Sequence, residues 1–446
     1  METKPQINQK IELTLKGLGI HGEGVGSWQG YTLFVDGALP GEVVEARVVE
    51  TKRSFGRAQA LSYRTLSPHR VTPSCPLFGK CGGCQIMHLD YAEQLVIKRQ
   101  RVVDALERIG KLTGIEVLPC RGSPLPLGYR NKIQLSVISS PTGVKLGLYA
   151  YNSHDLVEIE KCPIHSALGE EVFHQLLSLL KPFSPEELGL RYVLIKSAIH
   201  TEQALVIFVT EGEATFALRK IARALKESCS IVRGIVQNIN KTSGNTVLGK
   251  EYHVLEGEGA IEERIGGLTF KVSPASFFQV NPLQAEELYN KALELAELNG
   301  EETLLDAYCG VGTLSLLFAK RVKRVIGVEC IPSAIADAKE NAKKNGIMNV
   351  EFTCNDVERY ISTLSAVNVA LLNPPRKGCA TSFLEKLSQL APRSIVYISC
   401  DPATLARDLA YLENRGFHTE TVQPFDMFPQ TAHVETIVSL SHDSIF

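Results

Sequence analysis

The spacing of apolar and polar positions divides this 446-residue chain into three parts. In residues 1–70, short runs of alternating apolar and polar side chains are separated by glycine-containing turns, a pattern typical of a small β-barrel. In residues 71–275, mixed strands alternate with helical stretches, which predicts an α+β domain. In residues 276–446, apolar strands alternate regularly with helices, which predicts an open α/β sheet. We therefore expect three domains.

Individual elements of the first two parts follow from the same periodicities. Residues 91–110 carry apolar positions at helical spacing, and this helix is expected to pack on the third domain. The predicted barrel strands are Ile11–Leu15, Tyr31–Val35, Glu42–Val49 and Ala58–Ser62, with a turn at Gly22–Gly24. The predicted central strands are Lys132–Val137, Lys145–Tyr151, Tyr192–His200, Ala204–Val209 and Ile231–Asn238, and the predicted central helices are Glu170–Leu180 and Ala214–Ser228.

One βαβ unit organises the third part. Its first strand ends near Asp306, a loop carries Gly310 and Gly312, and its second strand ends on Glu329. Glycines at a strand-to-helix turn let a ligand approach the backbone, and a carboxylate about twenty residues further on can accept hydrogen bonds from ribose hydroxyls. The loop continues with Thr313 and lacks the third glycine of the dinucleotide fingerprint. We therefore expect a nucleoside cofactor without a pyrophosphate, such as S-adenosylmethionine.

Polar residues follow the remaining predicted strands of the third part. In an open α/β sheet, ligands bind at the carboxyl ends of the strands, so these tips are expected to form one site. We expect Asp356 beside the adenine of the cofactor, and residues 373–376 and 399–402 facing its reactive end. The elements behind this prediction are strands 350–354, 368–372 and 394–398 and helices Leu283–Leu298, 332–345 and Pro402–Leu412.

Three cysteines lie in a glycine-rich loop of the central part. Cys75, Cys81 and Cys84 have the spacing Cys-x5-Cys-x2-Cys, which indicates a metal ion or cluster when the thiols are kept reduced. We choose Cys162 as the fourth ligand because its Cys-Pro step repeats that of Cys75. Four thiolates suit either zinc or a [4Fe–4S] cluster, and the spacing does not distinguish the two.

Composition narrows the class of protein. The net charge of −2 excludes a uniformly basic nucleic-acid-binding surface but allows local basic patches. The chain has no apolar run long enough to span a membrane, and its first ten residues lack a signal-peptide core, so we expect a cytoplasmic protein. Eleven cysteines without a secretion signal favour reduced thiols over a disulfide framework.

Cys400 is the candidate nucleophile. It follows an apolar strand and precedes a helix, whose N-terminal dipole and free N–H groups stabilise a thiolate. In the last predicted strand, His433 and Glu435 lie among apolar residues. A carboxylate in such a strand is costly unless it has a function. The chain therefore combines a candidate thiol nucleophile with a candidate functional acid.

The ordered motifs of the third part resemble those of a known family. The chain carries Phe-Phe-Gln-x-Asn, Asp-x-Tyr-Cys-Gly-x-Gly, Asn-Pro-Pro-Arg, Ser-Cys-Asp-Pro-x-Thr-x-x-Arg-Asp and Thr-x-His-Val-Glu. This set resembles the S-adenosylmethionine-dependent RNA uracil-C5 methyltransferases. More narrowly, it is similar to the branch with an N-terminal TRAM barrel and a [4Fe–4S] cluster, typified by the 23S ribosomal RNA (uracil-5-)-methyltransferases. The resemblance covers essentially the whole chain.

The resemblance implies an OB-like TRAM barrel, a central α+β domain with an iron–sulfur loop, and a Rossmann-like α/β methyltransferase domain. It implies that Cys400 is the nucleophile and Glu435 the base. If Glu435 is not the base, His433 is the nearest candidate. The family usually carries Asp-Pro-Pro-Arg where this chain has Asn373, an amide that keeps the size of the acid but loses its charge. The implied cluster ligands are Cys75, Cys81, Cys84 and Cys162, and the implied cofactor-binding residues are Gln279, Tyr308, Thr313, Glu329 and Asp356.

Other functions fit parts of the pattern. Asn373-Pro-Pro resembles the tetrapeptide with which many enzymes methylate an exocyclic nitrogen, a reaction that needs no cysteine nucleophile. Alternatively, the chain could be a non-catalytic RNA-binding or ribosome-assembly factor in which the altered aspartate marks lost catalysis. The expected partner is RNA, with 23S ribosomal RNA favoured and transfer RNA the alternative. We expect a monomer.

Overall fold

The N-terminal part is a closed five-stranded barrel in a computed structural model that describes residues 4–442 except 142, 243 and 245. Residues 1–3 of the predicted barrel domain and residues 443–446 of the predicted α/β domain lie outside the described residues. The strand order around the barrel is β1-β2-β3-β5-β4. The strands are β1 (Lys10–Leu18), β2 (Gly24–Trp28), β3 (Tyr31–Val35), β4 (Val43–Thr51) and β5 (Phe55–Thr65).

The predicted barrel is confirmed, and β2 is the strand that the sequence pattern missed. Alternate side chains of β1, such as Leu13 and Leu15, fill the interior, as the period of two requires. The sequence pattern predicts a turn that ends at Gly24, but β2 begins there. A Cβ at Gly24 would lie 2.4 Å from Cδ1 of Leu15, so crowding inside the barrel requires glycine at this position.

The central part is one seven-stranded sheet with helices on one face. Its strand order is β12-β11-β10-β9-β6-β7-β8, and β10 and β11 pair in parallel while the other neighbours are antiparallel. The strands are β6 (Lys132–Ser140), β7 (Gly143–Tyr149), β8 (Leu156–Glu158), β9 (Leu190–Ala198), β10 (Gln203–Thr210), β11 (Val232–Ile239) and β12 (Glu251–Gly257). The helices up to this point in the chain are α1 (Tyr91–Ala105), α2 (Ala167–Leu180), α3 (Pro185–Leu188) and α4 (Phe216–Ser228).

The five strands and the two helices predicted for the α+β domain are present. The short elements β8, β12 and α3 were missed, because runs this short or this polar have too weak a periodicity to detect. The hairpin β13 (Ile261–Ile265) and β14 (Leu268–Val272) was missed as well. Ile265 and Phe270 of the hairpin pack into the core of the C-terminal part, while Ile261 and Val272 pack against the central sheet.

The C-terminal part is a seven-stranded sheet with helices on both faces. The strand order is β17-β16-β15-β18-β19-β21-β20. β21 runs antiparallel to both of its neighbours, β19 and β20, and all other neighbouring strands are parallel. The strands are β15 (Thr303–Ala307), β16 (Arg324–Glu329), β17 (Val350–Cys354), β18 (Val369–Leu372), β19 (Ser394–Ser399), β20 (Phe417–Phe425) and β21 (Glu435–His442). The helices are α5 (Pro282–Leu295), α6 (Thr313–Ala319), α7 (Pro332–Lys344), α8 (Val357–Tyr360), α9 (Thr381–Leu390) and α10 (Pro402–Glu413).

The predicted helix over residues 91–110 packs on the C-terminal sheet and changes its geometry near its end. α1 continues into a single π-helical turn, Leu106–Gly110. Val102 and Leu106 share one hydrophobic core with α9 and α10. A Cβ at Gly110 would lie 2.8 Å from the carbonyl oxygen of Ala406, so this glycine permits the close approach of α1 to α10. Although α1 precedes the central sheet in sequence, it packs as part of the C-terminal core.

No helix in the described part of the chain combines the length and the apolar character that a membrane crossing requires. The longest helix, α1, has 15 residues and buries Lys98 on its packed face.

Candidate active site

The predicted strand tips lie along one edge of the C-terminal sheet. β15 and β18 are neighbours, and the chain proceeds from them in opposite directions across the sheet. At such a switch point the loops diverge and leave a crevice for a ligand. Ala307 at the end of β15 pairs with Leu372 at the end of β18. The next residues, Tyr308 and Asn373, therefore begin the loops on the two sides of this crevice.

The glycine loop after β15 has an unusual backbone. Tyr308, Gly310 and Gly312 all have positive φ angles, of 69°, 55° and 80°. A Cβ at Gly312 would lie 2.7 Å from Phe352, whereas a Cβ at Gly310 would enter open space with no atom within 4 Å. A left-handed tyrosine costs free energy, and such residues concentrate at ligand sites. The loop therefore leaves room for a ligand against the backbone at Gly310.

Glu329 lies against this loop. Its Oε2 accepts a hydrogen bond from the Gly310 N–H at 3.3 Å, and its Oε1 accepts one from the Ile331 N–H at 3.0 Å. These contacts hold the carboxylate at the tip of β16, beside the open space of the loop. Such a carboxylate is placed to accept hydrogen bonds from ribose hydroxyls.

Asp306 is a buried acid at this site that the sequence-based list of site residues omitted. Its Oδ2 accepts a hydrogen bond from the Ser315 hydroxyl at 2.5 Å, but its Oδ1 is buried without a hydrogen-bond partner. Burial raises the pKa of Asp306 to about 7, although Ser315 opposes the shift. An unpartnered buried carboxylate oxygen next to a glycine loop fits a bound cation or amine. The signal in the sequence was an acid within an apolar strand.

Gln279 is held in place by the central part of the chain. It is buried, and its carbonyl oxygen accepts a hydrogen bond from Asn131 Nδ2 at 3.0 Å. Its side chain lies within hydrogen-bonding reach of the buried Tyr289 hydroxyl. Burial raises the pKa of Tyr289, and the nearby Glu435 carboxylate adds to the shift. Gln279 and Glu435 therefore both lie near Tyr289.

The remaining predicted cofactor residues lie at the same edge. Thr313 is the first residue of α6, and Asn373 is partly buried after β18. Asp356 is exposed and caps α8, because its Oδ1 accepts hydrogen bonds from the N–H groups of Glu358 and Arg359 at 3.1 and 3.3 Å. The cap gives Asp356 a structural role of its own.

Cys400 lies between the end of β19 and the start of α10. The next residue, Asp401, caps that helix by accepting hydrogen bonds from the N–H groups of Ala403 and Thr404 at 2.9 and 3.0 Å. The Cys400 side chain is partly buried. Burial raises the pKa of its thiol to about 11, the Glu435 charge adds to this shift, and Arg376 opposes it. Burial therefore has the largest effect on ionisation of this thiol, and Glu435, Arg376 and Asp401 are the charged groups that act on it.

Glu435 opens β21 and is 4% exposed. Burial raises the pKa of its carboxyl to about 8, and the positive charge of Arg376 opposes this shift. A carboxyl with such a pKa can accept and release a proton near neutral pH. The structure thus brings the thiol of Cys400 and the carboxyl of Glu435, which are 35 positions apart in the sequence, within electrostatic range of each other.

His433 is less suited to act as a base. Burial lowers the pKa of its imidazole to about 4, and Arg376, Arg101, Lys98 and His21 lower it further. Its Nε2 lies 3.5 Å from Arg376 Nη2. A histidine with so low a pKa is uncharged at neutral pH and is a weak proton acceptor. The electrostatics therefore favour Glu435 over His433.

The four predicted cluster cysteines gather in one partly buried group. Burial raises the pKa of the Cys84 thiol to about 12, with further contributions from Cys162, Cys81 and Cys75. The four sulfurs are therefore within electrostatic range of one another. Among the described residues, however, no three His, Cys, Asp or Glu side chains form a group that could hold a metal ion. The predicted metal centre is not confirmed.

Comparison with known proteins identifies two domains in the chain. Residues 4–61 match the TRAM domain model, and residues 298–413 match a methyltransferase domain model. A protein of Clostridium tetani named as an uncharacterized RNA methyltransferase is 41% identical over 98% of this chain and 97% of its own length. Another with the same description, from Halalkalibacterium halodurans, is 40% identical over 97% of both chains.

A solved structure shares the whole architecture. The tRNA (uracil-54, C5)-methyltransferase of Pyrococcus abyssi, in complex with S-adenosyl-L-homocysteine, aligns with a TM-score of 0.76 and 28% identity. The alignment covers 96% of this chain and 99% of that one. The arrangement of barrel, central sheet and C-terminal sheet is thus shared along nearly the full length.

The raised pKa of Glu435 predicts a pH-dependent effect of its replacement. In the unfolded chain this carboxyl loses its proton above its ordinary pKa of 4.5, whereas in the folded protein its pKa is about 8. The stability that the neutral carboxyl contributes is therefore complete below pH 4.5 and is lost as the pH rises to 8. We expect Glu435→Gln to raise the Tm relative to the native protein, by an amount that grows from pH 5 to pH 8. Calorimetry over this range, with the exposed Glu385→Gln as control, tests this, and a pH-independent difference would contradict it.

Glu329 is predicted to contribute to cofactor affinity. A charge-assisted hydrogen bond contributes about 1.5–3 kcal/mol, so Glu329→Ala should weaken binding of S-adenosylhomocysteine by roughly ten- to a few hundred-fold. Glu329→Gln keeps the acceptor oxygen and should lose less. Isothermal titration calorimetry measures both dissociation constants. If both variants bind as tightly as the native protein, the carboxylate serves only the turn.

Proposed function

Because the chain belongs to the RNA methyltransferase family, we propose that it transfers a methyl group from S-adenosylmethionine to C5 of a uridine in RNA, with Cys400 as the nucleophile. The proximity of the Cys400 thiol to the buried Glu435 carboxyl is the observation that carries this proposal. Methylation of an exocyclic nitrogen needs neither group. The structural relative whose name specifies uracil C5 supports the same reaction.

Uracil C5 is a weak nucleophile and needs activation. When bound, S-adenosylmethionine supplies the electrophilic methyl group. The Cys400 thiolate adds to C6 of the uracil, which moves an electron pair onto C5 and O4, and C5 then takes the methyl. Glu435 removes the proton from C5, the electron pair returns to the C5–C6 bond, and the Cys400 sulfur leaves. The product is 5-methyluridine, and the enzyme regains a free thiol.

The electrostatics of the site agree with these roles. The Cys400 thiol needs stabilisation of its anion, and Arg376 and the N-terminus of α10 supply it. Glu435 must be ionised to accept the C5 proton, and its pKa of about 8 leaves a fraction ionised at neutral pH. Asn373 follows β18 next to the end of β15, where its amide would hydrogen-bond the cofactor or the uracil without adding a charge.

The cofactor would be held by the tips of β15, β16, β17 and β18. The unpartnered Oδ1 of Asp306 and the open space at Gly310 fit a cationic, adenosine-containing molecule. The residues proposed to bind it are Gln279, Tyr308, Gly310, Thr313, Glu329, Asp356 and Asn373.

We propose that the barrel (residues 1–70) and the central domain (residues 71–275) bind the RNA, while residues 276–446 carry the methyl transfer. A uridine stacked in a helix would have to be flipped out or presented in a loop to reach Cys400. The resemblance favours 23S ribosomal RNA, whereas the named substrate of the structural relative favours transfer RNA. Mapping 5-methyluridine in both RNAs from cells with and without this gene distinguishes the two.

We further propose a [4Fe–4S] cluster at Cys75, Cys81, Cys84 and Cys162. A single zinc ion would draw four sulfurs to within about 2.3 Å of one centre, whereas a cluster lies between thiolates that are farther apart. The four thiols interact electrostatically in one partly buried group, which fits a site with four thiolate ligands, and iron and sulfide analysis distinguishes the cluster from zinc.

The two catalytic residues should fail differently when they are replaced. Cys400→Ala cannot activate C5 and should transfer no methyl, leaving RNA bound without a covalent bond. Glu435→Gln can still add and methylate but cannot remove the C5 proton. It should accumulate a covalent protein–RNA adduct that survives denaturing electrophoresis and carries label from the cofactor methyl. Normal turnover by Glu435→Gln, or an adduct in the Cys400→Ala background, would exclude these roles.

The cluster proposal predicts colour and metal content. Anaerobically purified protein should be brown and contain about four iron and four sulfide ions per chain. Cys162→Ala should weaken RNA binding before it affects cofactor affinity, because the cysteine loop lies outside the C-terminal sheet. Cys229→Ala removes a buried thiol elsewhere in the central domain and is the control. A colourless, active protein with one zinc ion per chain would contradict the proposal.

A further inference from the structure

The segment that leads to Glu435 is held by a helix from a distant part of the sequence. We call residues 426–434, which connect β20 to β21, the approach segment. Gln94, Lys98 and Arg101 of α1 face it, and their spacing of four and three residues places them on one side of the helix. Their contacts fall on every second residue of the approach segment.

The first contact is a buried ion pair. Lys98 Nζ donates a hydrogen bond to Asp426 Oδ1 at 2.5 Å and another to the Phe428 carbonyl oxygen at 3.1 Å. The Lys98 side chain is 1% exposed and that of Asp426 is fully buried. The start of the approach segment therefore cannot move without separating two buried charges.

The second contact is reciprocal. Gln94 Nε2 donates to Gln430 Oε1 at 3.0 Å, and the Gln430 N–H donates to Gln94 Oε1 at 3.1 Å. Gln430 has a left-handed backbone with φ of 71°, a conformation that costs free energy for a residue with a Cβ. The paired amides therefore hold the backbone in a bend five residues before Glu435.

The cysteine loop holds the same bend from another side. The N–H groups of Gln85 and Ile86, which follow Cys84 directly, both donate to the Gln430 carbonyl oxygen at 3.1 Å. Gln85 Oε1 accepts a hydrogen bond from the Ala432 N–H at 3.4 Å. Gln430 is therefore bonded through its side chain, its N–H and its carbonyl oxygen.

The third contact of α1 extends to the barrel. Arg101 Nη1 donates to the Ala432 carbonyl oxygen and, at 3.3 Å, to the carbonyl oxygen of Ile20 in the barrel. In contrast, Cys400 lies at the end of β19, and its helix is capped by Asp401. The polar contacts of Gln94, Lys98 and Arg101 thus fall on the approach segment, while the apolar residues of α1 pack on α10.

We propose, on the premise of the proposed function, that Gln94 is a positioning residue that acts through Gln430. It holds the approach segment so that the Glu435 carboxylate reaches the C5 proton of the methylated uridine. The step that depends on this contact is proton removal, which follows methyl transfer. Through the same segment, the cysteine loop and the barrel are connected to that step.

Gln94→Leu tests this proposal, because leucine is apolar and of similar size and cannot make the two hydrogen bonds with Gln430. It also loses the bonds that Gln94 Nε2 donates to the carbonyl oxygens of Ile86 and Leu89 at 3.2 and 2.9 Å. We expect kcat to fall by roughly ten- to a hundredfold, as for a displaced catalytic group, while the dissociation constant for S-adenosylhomocysteine stays unchanged. The variant should also accumulate the methyl-labelled covalent adduct, because elimination becomes slow. Gln100→Leu, the same substitution on the exposed side of α1, is the matched control and should do neither.

The outcomes distinguish a failure of the positioning role of Gln94 from a failure of the proposed function. An adduct in Glu435→Gln but none in Gln94→Leu overturns the positioning role and leaves the proposed function intact. If Glu435→Gln also forms no adduct, the proposed function itself fails. Loss of cofactor affinity in Gln94→Leu in parallel with kcat, without an adduct, also overturns positioning. If Gln94→Leu does not fold, Gln430→Asn, which accepts the left-handed backbone but shortens the side chain that meets Gln94, must accumulate the adduct instead, and its absence overturns the proposal.

Discussion

The buried ion pair between Lys98 and Asp426 is the interaction on which the arrangement of the active site depends. Bringing two charges out of water is costly, and breaking such a pair by removing one partner typically costs about 3–5 kcal/mol. The pair therefore admits only conformations in which α1 lies against the end of β20. With α1 in that position, Gln94 meets Gln430 and Arg101 meets the Ala432 carbonyl oxygen. The ion pair at the end of β20 thus orders the segment that leads to Glu435.

Burial raises the pKa of both ionisable groups proposed to act in the reaction. It raises the pKa of the Cys400 thiol to about 11 and that of the Glu435 carboxyl to about 8, so each group resists ionisation in the free protein. Arg376 is exposed at the mouth of the site and opposes both shifts. Both groups are therefore mostly neutral in the free protein near pH 7. A neutral thiol is also less open to unwanted reactions.

The three parts of the chain form one continuous structure around the candidate site. The barrel contributes the Ile20 carbonyl oxygen, the cysteine loop contributes Gln85, and the central sheet contributes Asn131, which bonds the Gln279 carbonyl oxygen. Each contact reaches a segment that borders the crevice. A chain built in this way has little freedom to vary one part independently, which agrees with the alignment to the Pyrococcus abyssi enzyme over 96% of this chain.

The sequence by itself determined the elements whose signals are local. The alternation in β1 predicted the barrel, and polar residues after apolar strands predicted that Glu329, Asn373 and Cys400 would lie at one sheet edge, because parallel strands end together. The sequence did not predict β2, because glycines such as Gly24 are typical of a turn. The structure shows that glycine is needed there because Leu15 packs against it. Only the tertiary structure decided that α1 would hold the approach segment. Gln94 and Gln430 are 336 positions apart, and a hydrogen bond between two amides leaves no periodic trace in either stretch. Long-range polar pairing depends on how the helix and sheet pack, which no local pattern of residues specifies.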